Sequence, residues 1–176
     1  QRLITPVLEF PYGRDLRVFT NSGLTSLAVR DQEQALLIVG VKQGETHALR
    51  LEKEEDFLSG DIVLNQEIFQ LPAPDFTASQ LFIDVSMRFV YLLSADKTLA
   101  YYDFDKKRLL YEQLPSNIVD AKLLLGGISL LVADDAGNIS QWFMVRDEHG
   151  EQQLTNIRSF SLQGKNQHAL IESEQR

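Results

Sequence analysis

The chain holds 176 residues, 44% of them hydrophobic and 24% charged, which suits one globular domain or two very small ones. A net charge of −8 opposes phosphate backbones and anionic membrane surfaces, so nucleic acid is excluded as a partner. The absence of cysteine excludes thiol nucleophiles, disulfides and thiolate metal sites.

In chain order, the sequence alternates short apolar runs with turn residues. The segment LITPVLEFP…LRVFTN is expected to be the outer strand of a preceding unit. LTSLAVR (Leu24–Arg30), ALLIVGV (Ala35–Val41), HALRLE (His47–Glu52) and IVLNQEIFQL (Ile62–Leu71) form a first set of four strands. The turn KQGET joins the second and third, and the acidic EKEED patch (Glu52–Asp56) is expected as a solvated loop before the fourth. LPAPDF (Leu71–Phe76) reads as a proline-rich connection. A second set follows in QLFIDVS (Gln80–Ser86), RFVYLLSA (Arg88–Ala95), TLAYYDFD (Thr98–Asp105) and RLLYEQL (Arg108–Leu114). The third set is IVDAKLLL (Ile118–Leu125), ISLLVAD (Ile128–Asp134), ISQWFMV (Ile139–Val145) and LTNIRSFSL (Leu154–Leu162). QHALIES at the end resembles the first strand of a following unit.

Each set contains a hairpin of one nearly all-apolar strand, a polar turn and a mixed strand. The all-apolar member lacks alternation, as a strand buried on both faces does. A buried helix is the competing reading, opposed by the β-branched and aromatic content and the close turns. The spacing between Leu36, Val90 and Leu130 is 54 and then 40 residues. Four-stranded units at this period predict an all-β fold, a partial β-propeller of WD40-like type with about three blades at 24–71, 80–114 and 118–162, plus strands of flanking blades. A two-sheet sandwich is the alternative. Propellers close with about four to eight blades. Three therefore leave an open arc whose end faces need missing blades or a second copy to cover them. Residues 1–176 are read as a single soluble all-β domain and, lacking an initiator Met, as a fragment of a longer membrane protein. No apolar run approaches the roughly 20 residues of a membrane span, and no signal peptide is visible.

No residue is assigned to catalysis, to a cofactor or to a metal. Asp134-Asp135-Ala136-Gly137-Asn138 reads as a turn, with carboxylates bonding nearby amides and Gly137 supplying positive φ. A calcium loop does not fit, because its sixth and twelfth positions would be Ile139 and Val145. Trp142, the only tryptophan, is expected to cover the seam between adjacent blades. His47, His149 and His168 lie far apart in sequence and lack metal-ligand spacing. No nucleophile elbow, phosphate-binding glycine loop or dinucleotide fingerprint occurs. Tyr101, Tyr102 and Phe104 suit stacking on a sugar or base, but cross-strand packing with Phe89 and Tyr91 accounts for them better. Asp84, Asp103, Asp120 and Asp134 near strand ends are the carboxylates that a propeller hydrolase would need, and turn roles account for them.

The stretch Gly126–Leu162 carries an apolar run, Asp134 and Gly137 in a D-x-x-G turn, Trp142-Phe143, Val145-Arg146-Asp147, and then Leu154…Ile157-Arg158…Phe160. This pattern resembles a segment of the long-form permeases of bacterial phosphate ABC transporters. In that family a soluble propeller-like domain is inserted between the first membrane helix and the permease core. The rest of the chain matches only in blade rhythm, and every membrane helix of the family is missing. The resemblance implies a non-catalytic interaction or regulatory domain of an inner-membrane protein, on the periplasmic side. Its expected partners are the permease's own transmembrane part, other transporter subunits or the substrate-binding protein, with homodimerisation of the arc as a further option. It transfers no catalytic residue to this chain. Phosphate itself is expected to bind weakly or not at all, for want of an amide nest or basic cluster. The alternatives are a scaffold of another envelope assembly and, ranked last, a propeller hydrolase.

Overall fold

The computed structural model describes residues 24–124 and 126–161. The flanking strands expected at LITPVLEFP…LRVFTN and QHALIES, together with His168, lie outside the described residues. Every regular element described is a strand. The first sheet holds β1 (Leu24–Asp31), β2 (Ala35–Lys42), β3 (Glu45–Glu55) and β4 (Ile62–Leu71). The second holds β5 (Gln80–Ile83), β6 (Phe89–Leu93), β7 (Thr98–Asp103) and β8 (Arg108–Gln113). The third holds β9 (Ile118–Leu124), β10 (Ser129–Asp134), β11 (Asn138–Arg146) and β12 (Gln152–Ser161). Within each sheet the strands lie in sequence order and every pair is antiparallel.

The three sheets pack in series, which excludes the two-sheet sandwich. The middle sheet is covered on both faces. Val90, Leu92, Ala100 and Tyr102 point to the first sheet and meet Leu37, Val39, Val41 and Ala48. The alternate residues Phe89, Tyr91, Leu93, Leu99 and Tyr101 point to the third and meet Leu130, Val132, Trp142 and Leu154. This explains why β6 shows no polar alternation. Its side chains still alternate in direction, but both directions lead into a core. Leu92 and Leu93 are fully buried, each contributing about 1.5–3 kcal/mol of transfer free energy. Among the first strands, β5 lies against both β1 and β9. The fourth strands are mostly exposed. Burial therefore peaks in the second strands β2, β6 and β10 and is least in the fourth strands of the sheets.

Two boundaries differ from the sequence reading. The turn after β2 is only Gln43-Gly44, with φ of 54° and 83°. That is the left-handed pair a two-residue hairpin requires, so β3 begins at Glu45 rather than His47. The Glu52–Asp56 patch is strand as far as Glu55, and only Asp56 lies in the turn. Glu52, Lys53, Glu54 and Glu55 pair with Asn65, Leu64, Val63 and Ile62. β2 begins at Ala35, opposite Glu52. Lys53 still donates its N–H to the Gln34 carbonyl at 2.8 Å, and from Glu54 onward β3 and β4 run out of the sheet as a two-stranded ribbon.

Candidate interaction interface

Consecutive antiparallel strands put alternate turns at opposite rims of the arc. The β1–β2, β3–β4, β5–β6, β7–β8, β9–β10 and β11–β12 turns share one rim, and the β2–β3, β6–β7 and β10–β11 turns the other. The four aspartates of interest therefore do not converge. Asp84 and Asp103 lie at the first rim and Asp134 at the second. Asp120 sits inside β9 rather than at a strand end, where it accepts the Ala121 N–H at 2.8 Å.

Three of the four have full hydrogen-bond duties. Asp84 accepts the N–H of Phe89 at 2.7 Å and of Ser86 at 3.1 Å, plus the Ser86 hydroxyl. Asp134 accepts the N–H of Ala136 at 3.1 Å and of Asn138 at 2.7 Å across the turn whose Gly137 has φ of 80°. Buried Asp103 receives a bidentate pair from Arg88, at 3.0 and 2.8 Å, and the N–H groups of Asp105 and Lys106. Burial raises the Asp103 pKa. The Arg88 hydrogen bonds and charge and the two amides outweigh it, holding the carboxyl below its ordinary value. Among the described residues no cluster of three or more His, Asp or Glu is placed to hold a metal ion.

The aromatic residues serve the seams. Tyr101, Tyr102 and Phe104 are buried, so none is free to stack on a sugar or base. Phe89 meets Tyr101 edge-on at 6.5 Å. Trp142 lies in the core between the second and third sheets, as its sequence position predicted, and its Nε1–H donates to Ser140 Oγ at 2.8 Å. His47 on β3 lies 3.2 Å from Glu45, and His149 lies in the turn before β12.

Two arginines that the sequence did not single out tie the sheets together. Arg50 Nη2 donates to the Met87 carbonyl at 2.7 Å, and its guanidinium lies 4.7 Å from the Phe104 ring centroid. Arg30 reaches from β1 to both other sheets, donating to the carbonyls of Ile83 and Gly126, each at 3.1 Å. Gly127 has φ of 102°, and a Cβ there would strike the Arg30 guanidinium. At the same rim Lys106 and Arg108 pair with Glu151 of the third sheet.

The surface facing away from this packed arc is different. On β11, Trp142 points to the middle sheet, so Ile139, Phe143 and Val145 point away. Phe160 lies opposite Ile139 on β12. Val145 and Phe160 are 42% and 51% exposed. At the other end of the arc, Leu27 and Val29 on β1 are 39% and 50% exposed, while Ala28 between them packs inward.

No family model matches the sequence, and no curated protein matches it. Among solved structures, the chain is similar to the β-propeller domain of Myceliophteria thermophila Cps50 (Swd1). The identity is 13% and the TM-score 0.46, over 78% of this chain and 58% of that one. It is also similar to Kluyveromyces lactis Hsv2, at 15% identity and a TM-score of 0.51, over 88% of this chain and 62% of that one. The chain thus spans less than two thirds of the length of either structure. Likeness at this identity speaks to fold alone, and the fold is that of a partial, WD40-like β-propeller.

Proposed function

We propose that this domain is a non-catalytic interaction module, and that it forms the periplasmic part of an ABC-type phosphate permease. The single observation that carries the first half is the outward sheet face of half-buried Ile139 and Phe143 and exposed Val145 and Phe160, on an arc whose aspartates are occupied in turns and seams. A sheet face with apolar side chains at its edge of packing suits burial against a further blade or a partner surface. The second half rests on the sequence pattern at Gly126–Leu162. The partners it supplies are the permease's membrane part, other transporter subunits or the substrate-binding protein.

The test is the parent gene and its product. Hydropathy of the gene is expected to show one apolar span before this segment and several after it. The tagged full-length product, solubilised from membranes, is then expected to co-purify with the transporter's ATPase subunit. A signal peptide with no later spans, or a product that leaves the ATPase behind, removes the permease reading and leaves a scaffold of another envelope assembly.

A further inference from the structure

The β3–β4 ribbon ends in the most exposed apolar pair among the described residues. Phe57 and Leu58 are both fully exposed, and Ile62 and Val63 on the returning strand are about half-exposed. The tip is held in shape. Asp56 accepts the N–H of Leu58 at 2.8 Å and of Ser59 at 3.1 Å. The Asp56 N–H donates to the Asp61 carbonyl at 2.8 Å, and Gly60 N–H to the Asp56 carbonyl at 2.8 Å. The backbone amides hold the Asp56 carboxyl below its ordinary pKa. No other described residue covers the pair, and a convex projection of this kind fits a concavity rather than a flat surface.

The stem narrows the choice of occupant. Between Lys53 and Leu64, which pair at its base, it carries Glu54, Glu55, Asp56 and Asp61 against Lys53 alone. That field opposes an anionic bilayer and favours a basic rim. A Phe-Leu pair alone buries too little for a stable interface of about 800 Å² per partner. It suits the anchor of a larger contact, with the charged stem around it. We propose that this ribbon docks into another protein, placing Phe57 and Leu58 in an apolar pocket rimmed by lysine or arginine. The inference rests on the reading of the domain as an interaction module, but it does not depend on which assembly the domain serves.

The test places the photo-reactive residue benzoylphenylalanine at Phe57 of the full-length protein in its native cells. Glu148, exposed in the β11–β12 turn, serves as the control position. One predominant protein adduct is expected, at least tenfold above the control. Its attachment point is expected in a pocket bordered by basic residues, and the yield is expected to fall several-fold with Glu54→Lys and Glu55→Lys. An adduct with a transporter subunit supports both the ribbon and the permease reading. An adduct with an unrelated protein supports the ribbon and removes the permease. Adducts with lipid, with a second copy of this chain or with many proteins equally overturn the ribbon proposal. So does a yield no higher than at Glu148, or one indifferent to the stem charges.

Discussion

At the scale of single residues, the carboxylates act as structural acceptors, and this has measurable consequences. Asp134→Ala leaves two turn amides without their acceptor and is expected to cost about 1–3 kcal/mol, read as a shift of the urea midpoint at constant slope. Asp103 supplies a pH signature. Its pKa is depressed in the folded state. The stability it contributes is therefore present above the unfolded value of about 3.9 and is lost as pH falls through the folded value. Unfolding free energy measured between pH 5 and pH 2 is expected to fall less steeply in Asp103→Asn than in the parent. At pH 7 the same substitution is expected to cost about 2 kcal/mol, because the Arg88 pair loses its charge assistance. An unchanged acid slope removes this account of Asp103.

At the scale of elements, each seam has its own chemistry. The seam between the first and second sheets joins aliphatic residues to an edge-on cluster of Phe69, Tyr102 and Phe104 with Arg50 against it, and the other is dominated by Tyr101 and Trp142. Trp142→Ala is expected to cost about 3–5 kcal/mol by thermal or chemical unfolding. Trp142→Phe is expected to recover much of that loss. All twelve strands are legible in the sequence, because β-branched and aromatic runs broken by turn residues have few other solutions. Trp142's place and the Asp134–Asn138 turn were legible for the same local reasons. The extension of β3 through Glu55 was not. Glu54 and Glu55 read as solvated charge, and nothing local announces that Val63 and Ile62 will pair with them. Arg30 and Arg50 were equally silent. An arginine on a strand carries no mark of a carbonyl 96 or 37 residues away in the chain.

At the scale of the whole molecule, the outward face of the third sheet is where association can be tested. β12 is an edge strand of its sheet, and beside it the exposed Val145 and Phe160 invite pairing with other chains. Val145→Lys with Phe160→Lys is expected to leave stability within about 0.5 kcal/mol. It is also expected to shift sedimentation velocity of this chain towards monomer. A parent already monomeric at tens of micromolar would show that this face has no affinity for its own kind. The connectivity of the arc has a further consequence for how the chain is made. Among the described residues every backbone ladder joins strands that are neighbours in sequence, so the ladders of each described sheet can form before the next sheet has been translated. The inward side of the first sheet nevertheless stays bare until Val90, Leu92 and Tyr102 have left the ribosome. For that interval the growing chain carries an unprotected aliphatic surface, which only the next sheet can cover from within the described fold.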